Sequence, residues 1–220
     1  MIIVTGAGGS LGQAVVRRLV EAGHKVAAVD IAPTIADAGQ SLTLPGTDLL
    51  DEASLGAAVA QIAAQGPITG LANVAGGFVW EMLDGGAVAT WEKMFRMNVL
   101  TTLHAVRAAL PHLRQSGGAI VNIAANAAVR AASGMGAYTA SKAGVMRLTE
   151  ALAAEEMANN VRVNSIMPSI IDTPVNRADM PDADFTQWVT PRQVANTIAF
   201  LLSEEASAIT GAHVPVTGKL

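Results

Sequence analysis

A tyrosine and a lysine four residues apart have the right chemistry for an acid–base pair. Tyr138 and Lys142 are separated by Thr139, Ala140 and Ser141. On a helix, residues at this spacing share one face, about one turn apart. A nearby ammonium stabilises a phenolate, so we expect Lys142 to lower the pKa of Tyr138 toward neutrality. The alternative is a surface lysine beside a half-buried tyrosine.

A glycine-rich turn near the amino terminus has the composition of a phosphate-binding loop. It follows the β-branched run Ile2–Thr5 and opens an amphipathic helix. Glycines leave backbone N–H groups accessible, and the positive end of the helix dipole favours an anion such as a pyrophosphate. The spacing is T-G-x-x-G-x-x-G, because Leu11 takes the third glycine position of G-x-G-x-x-G. A flexible turn without a ligand is the alternative. The residues expected to contact a dinucleotide here are Gly6, Gly9, Ser10, Leu11 and Gly12.

An aspartate at the end of the next strand indicates which dinucleotide would bind. Asp30 lies 18 residues beyond Gly12, where a carboxylate can accept hydrogen bonds from ribose hydroxyls and repel a 2′-phosphate. The neighbouring Ile31 and Ala32 offer no arginine for that phosphate. We therefore expect NAD, with NADH preferred over NADPH, unless Asp30 only begins a turn. Asp48, after the third strand, is a weaker candidate for an adenine contact.

The elements that position these residues alternate along the chain. Short β-branched runs are separated by longer stretches with helical period, which is typical of a parallel sheet with helices on both faces. About six helices are expected, and no linker or repeat divides the sequence. We expect one α/β domain over residues 1–220, with a Rossmann-like, doubly wound parallel sheet of about seven strands. The predicted strands are Ile2–Thr5, Lys25–Asp30, Leu42–Thr47, Gly70–Val74, Ala119–Ala124, Val161–Met167 and His213–Val216.

The stretch at about 169–190 departs from this alternation. It contains Pro174 and Pro181 and lacks a clean period. Loops of this length in compact domains are usually functional, so we expect a substrate lid.

The composition excludes several classes of function. The net charge is −4 and the 14 lysines and arginines are scattered, so we expect a small-molecule substrate and no nucleic acid partner. The chain has no cysteine and its four histidines are dispersed, so we expect no metal site. The amino terminus lacks the features of a secretory signal, and polar residues interrupt the alanine-rich stretches. We therefore expect a cytoplasmic protein that does not enter a membrane.

Together, these motifs resemble the short-chain dehydrogenase/reductase family over essentially the whole chain. The resemblance rests on the glycine turn, on Asn73–Gly76, on Asn98 and on the Tyr138 and Lys142 pair. It implies that Tyr138 donates or accepts a proton, that Lys142 holds the ribose, and that Asn98 supports a proton-relay water. A polar residue on a solvated helix face is the alternative for Asn98. The resemblance implies further cofactor contacts from Asn73, Ala75, Gly76, Tyr138 and Lys142.

One residue departs from the family pattern. The family's serine lies 13 residues before its tyrosine, and that position here is Ala125. The serine hydroxyl polarises a carbonyl whose oxygen gains charge as hydride arrives, an effect on the order of a few kcal/mol. Asn126 is a substitute donor in one interpretation and a structural turn residue in the other.

A narrower similarity, to quinoid dihydropteridine reductases, fits this departure. It rests on Val74–Phe78, Asp172–Arg177, Met180–Phe185 and Trp188. That branch also has alanine at the serine position and prefers NADH. The similarity implies reduction of a quinonoid dihydropterin or a related conjugated C=N or quinone-like compound, which needs less oxyanion stabilisation. The candidates for lining a flat substrate slot are Phe78, Trp80, Met135, Met180 and Trp188. The alternative is that these side chains pack in the core or in the lid.

The segment after the sixth strand resembles the family's segment beside the nicotinamide. This makes the backbone of Ile171 and the hydroxyl of Thr173 candidates for cofactor contacts, because ligands of open α/β sheets bind beyond the carboxyl ends of the strands. An ordinary loop is the alternative.

Two other functions stay open at this point. One is a carbonyl reductase or alcohol dehydrogenase in which Asn126 or water replaces the serine. The other is a non-catalytic NAD-binding sensor, against which the presence of Tyr138, Lys142 and Asn98 argues. The family resemblance also implies a homodimer or homotetramer, paired through the helices predicted over Trp91–Leu113 and Tyr138–Met157.

Overall fold

Seven parallel strands form one sheet in the computed structural model, which describes residues 1–219. Their order across the sheet is β3-β2-β1-β4-β5-β6-β7. The five central strands are almost entirely buried, as expected for a sheet covered on both faces. The predicted fold class is confirmed. The strands are β1 (Ile2–Thr5), β2 (Val26–Val29), β3 (Leu42–Leu44), β4 (Gly70–Asn73), β5 (Ala119–Ile123), β6 (Arg162–Pro168) and β7 (His213–Val216).

Four strands, β2, β3, β4 and β5, end one to three residues earlier than the sequence predicted. β2 ends at Val29, so Asp30 is the first residue beyond the strand. β3 ends at Leu44 rather than at Thr47. The physical reason is the pair that follows, because Pro45 has no N–H for the sheet and Gly46 adopts a positive φ of 69°.

Seven α-helices connect the strands. The sequence predicted one uninterrupted helix from Trp91 to Leu113. The structure divides that helix, because a π-helical turn at Arg96–Leu100 joins α3 to α4. The helices are α1 (Ser10–Glu21), α2 (Glu52–Ala63), α3 (Val88–Phe95), α4 (Thr101–Ser116), α5 (Gly136–Glu156), α6 (Pro174–Asp179) and α7 (Pro191–Leu202).

Two hydrophobic cores cover the two faces of the sheet. Residues alternate between them along each strand, as Ile2 and Val4 of β1 join one core while Ile3 joins the other. The first core is formed with α1 and α7, and the second with α2, α4 and α5. The sheet is therefore doubly wound.

The order of the strands creates a crevice at one edge of the sheet. The chain winds from β1 outward to β3, and then returns to place β4 on the other side of β1. The loops after β1 and β4 consequently diverge at their carboxyl ends, which is where ligands of such sheets bind. These two loops carry the glycine turn and the segment Asn73–Gly76.

The segment at 169–190 has more regular structure than its sequence indicated. It contains α6, and Ile171 forms a parallel bridge with Val189. Trp188 is 6% exposed and packs on the ring of Phe185, with centroids 4.8 Å apart. Trp188 therefore takes the packing role that was the alternative to lining a substrate slot.

Candidate active site

The glycine spacing of the turn after β1 is explained by close backbone contacts. Gly6 has a positive φ of 66°, and a Cβ there would lie 2.6 Å from the backbone nitrogen of Ala75 in the loop after β4. A Cβ on Gly12 would lie 2.0 Å from the carbonyl oxygen of Gly6. Glycine at these two positions lets α1 begin directly against the turn and lets the two loops meet.

The amino terminus of α1 is open to a ligand. No side chain among the described residues caps α1, and its first turn contains no acidic residue. In contrast, α2 is capped by Asp51 and α7 by Thr190. The first N–H groups of α1 therefore keep their capacity to bind an anion, and the helix dipole favours one there.

A cavity of about 850 Å³ lies over this helix end. Its volume falls within the range of small-molecule and cofactor sites. Together with the glycine cradle and the uncapped helix, the cavity fits a nicotinamide dinucleotide. Ten of the predicted site residues line it: Gly6, Gly9, Ser10, Leu11, Gly12, Asp30, Asp48, Ala75, Gly76 and Thr173.

The carboxylate of Asp30 is held in a fixed orientation at the cavity wall. Its Oδ2 accepts a hydrogen bond from the Gly8 N–H at 2.7 Å, and its Oδ1 accepts one from the Ala32 N–H at 2.8 Å. Each carboxylate oxygen can accept more than one hydrogen bond. Asp30 therefore has capacity left for ribose hydroxyls.

The cavity also has lining residues that were not predicted. They come from the residue after Asp30, from the loop before α2, from α3, from the π-helical turn and from the start of α4. The sequence signal available for this part of the cavity was a position shortly after the third strand, and it identified Asp48 alone. The residues concerned include Ile31, Leu49, Leu50, Lys93, Arg96, Met97 and Thr101.

Four predicted cofactor contacts do not line this cavity, namely Asn73, Tyr138, Lys142 and Ile171. Asn73 is 3% exposed and its amide donates to Asn122 Oδ1 at 2.9 Å inside the sheet. Its Oδ1 is buried and has no hydrogen-bond partner among residues 1–219. The carbonyl oxygen of Ile171 already accepts a hydrogen bond from Asn176 at 2.7 Å.

The tyrosine and lysine lie beside the cavity on α5, but their acid–base properties differ from the sequence expectation. Burial raises the pKa of Tyr138 to about 12 and lowers that of Lys142 to about 8. The Lys142 ammonium donates to the carbonyl oxygen of Ile123 at 2.8 Å and lies near Gly76, where an added Cβ would be 3.4 Å from it. Desolvation of the phenol therefore outweighs any charge effect of the lysine in this structure.

Asn98 occupies the π-helical turn and is buried, at 1% exposure. Its Oδ1 accepts from the Gly77 N–H at 2.9 Å, and its Nδ2 donates to the Gly77 carbonyl at 3.1 Å. The same Nδ2 donates to Ser141 Oγ at 2.9 Å. The alternative of a polar residue on a solvated helix face is wrong, because Asn98 ties the loop after β4 to α5.

Ala125 directly follows the buried end of β5 and is 4% exposed. Asn126 is exposed and begins a short 3-10 turn. Its carbonyl oxygen accepts from the Val129 N–H at 3.2 Å, which agrees with its interpretation as a turn residue.

Residues 1–219 contain no group of three or more histidine, aspartate or glutamate side chains placed to hold a metal ion. In the same part of the chain, no helix is both long and apolar enough to cross a membrane.

Comparison with known proteins agrees with the site. The family model for short chain dehydrogenases matches residues 1–184. The 2,5-dichloro-2,5-cyclohexadiene-1,4-diol dehydrogenase LinX of Sphingobium indicum is 33% identical, over 98% of this chain and 94% of that protein. The inactive 2-(S)-hydroxypropyl-CoM dehydrogenase 2 of Xanthobacter autotrophicus is 34% identical, over 92% of this chain and 97% of that protein. A short-chain dehydrogenase/reductase structure from Mycobacterium ulcerans superposes with a TM-score of 0.91 at 30% identity, covering 99% of this chain and 88% of that one. The chain belongs to the short-chain dehydrogenase family and is an oxidoreductase of that type.

Proposed function

We propose that this oxidoreductase uses NADH in preference to NADPH to reduce a small conjugated C=N or quinone-like compound, with a quinonoid dihydropterin as the first candidate. The observation that carries the proposal is the position of Lys142 beside Gly76, at the edge of the glycine-lined cavity. This supports a role for Lys142, and for Tyr138 one helical turn before it, beside the cavity that would take the dinucleotide.

Each residue of the pair has a defined part in the chemistry. A bound nicotinamide dinucleotide supplies the hydride. The Tyr138 hydroxyl donates the proton that the reduced substrate needs, directly or through water, and becomes a phenolate. Lys142, as an ammonium, stabilises that phenolate and can hydrogen-bond the ribose. Asn98 keeps the loop after β4 and the helix of the pair together.

The substrate class follows from the residue at position 125. Ala125 offers no hydroxyl to stabilise negative charge on a carbonyl oxygen. Reduction of an electron-poor conjugated ring spreads that charge over the ring. The absence of a hydroxyl at position 125 therefore removes less stabilisation from the transition state. The half-exposed ring of Phe78 beside Tyr138 also suits a flat, apolar substrate.

Two alternatives each have one supporting observation. The relative from Sphingobium indicum is named as the dehydrogenase of a cyclic diol, which favours an alcohol dehydrogenase or carbonyl reductase. The relative from Xanthobacter autotrophicus is named as inactive, which favours a non-catalytic NAD-binding sensor.

The assembly proposed with this function is a homodimer or homotetramer. The supporting observation is the exposure of two aromatic side chains of α3, Trp91 at 41% and Phe95 at 48%. They border a groove shared with Ala137 and Ala140 of α5, and small residues there permit close approach of another helix.

The test is oxidation of NADH and NADPH by the purified protein, with a quinonoid dihydropterin and a simple ketone as parallel acceptors. We expect NADH-specific turnover of the pterin, reduced by about 10²-fold or more in Tyr138→Phe. Asp30→Ser should raise the KM for NADH by about 10-fold and lower that for NADPH, since it removes a charged hydrogen-bond acceptor.

The other outcomes separate the alternatives. Turnover of the ketone alone would establish a carbonyl reductase without the usual serine. Binding of NADH without turnover of any acceptor would overturn the catalytic proposal and support the sensor.

A further inference from the structure

The loop between β4 and α3, residues 77–86, is anchored at two points. At its start, both backbone polar groups of Gly77 are hydrogen-bonded to the amide of Asn98, at 2.9 Å and 3.1 Å. Further along, the indole Nε1 of Trp80 donates to the Ser133 carbonyl at 3.1 Å. The residues between these anchors are therefore held in place against the segment that leads into α5.

Phe78 lies between the two anchors and contacts the phenol ring of Tyr138. The ring centroids are 4.9 Å apart and the rings cross at 84°, which is the favoured edge-to-face arrangement. Phe78 is 50% exposed, so burial of its own surface does not account for this placement.

A second connection runs from the same loop to the backbone of Tyr138. The amide of Asn98 donates to Ser141 Oγ at 2.9 Å, and the Ser141 hydroxyl donates to the Tyr138 carbonyl at 2.7 Å. The Tyr138 backbone is thus fixed through Asn98 and Ser141, while its ring is fixed through Phe78. Both connections begin at the Gly77 and Asn98 contact.

The phenol hydroxyl itself has no such support. Within residues 1–219, no hydrogen bond to the Tyr138 hydroxyl is present, and burial alone accounts for its raised pKa. The orientation of the ring therefore depends on packing, and Phe78 is the aromatic side chain that packs on it.

We propose that Phe78 is a positioning residue that fixes the ring of Tyr138 for proton transfer. The proposal rests on the proposed function, in which Tyr138 donates the proton. A displaced donor loses rate steeply, by up to about 10²-fold for a shift of about 1 Å.

The first variant is Phe78→Leu, which keeps an apolar side chain but removes the ring edge. We expect kcat to fall by about 10-fold or more and KM to change by less than kcat, because the donor is misplaced while leucine keeps an apolar surface for the substrate. Leu83→Ala is the matched control in the same loop, since Leu83 is 81% exposed. It should change neither constant.

A second measurement does not depend on turnover. Tyr138 is the only tyrosine in the chain, so ultraviolet absorbance of tyrosinate reports its ionisation alone. We expect Phe78→Leu to lower the phenol pKa from about 12 toward the ordinary value, because water reaches the ring. Leu83→Ala should titrate like the wild type, with circular dichroism confirming the fold of each protein.

Unchanged kcat and titration in Phe78→Leu, or a rise in KM alone, would overturn the proposal. Full activity of Tyr138→Phe would instead overturn the proposed function, and the titration would still report the Phe78 contact.

Discussion

Burial, more than any neighbouring charge, controls the acid–base properties of Lys142. The residue is 5% exposed and desolvation lowers its pKa to about 8. At pH 7 it is an ammonium bonded to Ile123, and above about pH 8 it becomes neutral. Activity that depends on this charge should therefore decline on the alkaline side of pH 8.

The same burial predicts that removing the charge stabilises the fold. Lys142→Met should raise the free energy of unfolding at pH 7 by about 1–3 kcal/mol while abolishing turnover, since a buried ammonium costs free energy that methionine does not. Urea unfolding at pH 7 and pH 10 measures the difference.

The sign of the pH dependence follows from the two pKa values. Between the folded value of about 8 and the ordinary value of 10.5, the unfolded chain binds more protons, so wild-type stability rises with pH. The advantage of Lys142→Met should thus be constant below pH 8 and shrink above it. A variant less stable than wild type at pH 7 would contradict the desolvation argument.

At the start of α1, two glycines should differ sharply in how well they tolerate replacement by alanine. Gly12→Ala should lower the melting temperature and abolish NADH binding, because the new Cβ would lie 2.0 Å from the Gly6 carbonyl oxygen and α1 must move away. Gly9→Ala is the matched control, since its Cβ would be 3.6 Å from the same oxygen. It should cost about 1 kcal/mol or less. Equal melting temperatures for the two variants would contradict this account.

The carboxyl ends of α4 and α5 are held together by a buried carboxylate. Glu156 is 1% exposed and accepts two hydrogen bonds from Arg114, at 2.8 Å and 2.5 Å, which hold the pKa of Glu156 below its ordinary value. Glu156→Gln should lower the free energy of unfolding by about 1–3 kcal/mol, since the partner loses its counter-charge. Glu155→Gln, at an exposed neighbour, should have little effect.

This contribution has a defined pH window. Because the folded pKa of Glu156 is lowered, the stabilisation is present above the ordinary carboxyl pKa and is lost as pH falls through the folded value. The stability difference between wild type and Glu156→Gln, measured by urea unfolding, should therefore narrow in acid. A difference that persists at low pH would contradict the ion-pair explanation.

Local sequence patterns predicted most strands and helices, whereas tertiary contacts determined the features that the sequence did not predict. The runs Ile2–Thr5 and His213–Val216 matched β1 and β7 because β-branched residues bounded by turns are direct strand signals. The interruption at Arg96–Leu100 has no such signal, since a π-helical turn arises from side chains fitted around it. The direction of the Tyr138 pKa shift could likewise not be predicted from a local sequence pattern, because it depends on how much of the folded chain covers the phenol.

For the whole molecule, the exposed aromatics of α3 predict an assembly. Light scattering coupled to size exclusion should show a dimer or tetramer for the wild type, and Phe95→Asp should shift it toward smaller species, because a carboxylate cannot be buried without a partner. Ile31→Asp, at a 67% exposed position beyond β2, should leave the assembly unchanged. A monomeric wild type would contradict the proposed pairing.

Because of the π-helical turn, the number of residues between α3 and α4 constrains the geometry of the site. An α-helix rotates by about 100° per residue, so inserting one further residue at Arg96–Leu100 would turn α3 by about that angle relative to α4. Trp91 would leave its place over Gly136, where an added Cβ would lie 3.2 Å from the indole. In evolutionary terms, this turn should accept substitutions far more readily than single-residue insertions.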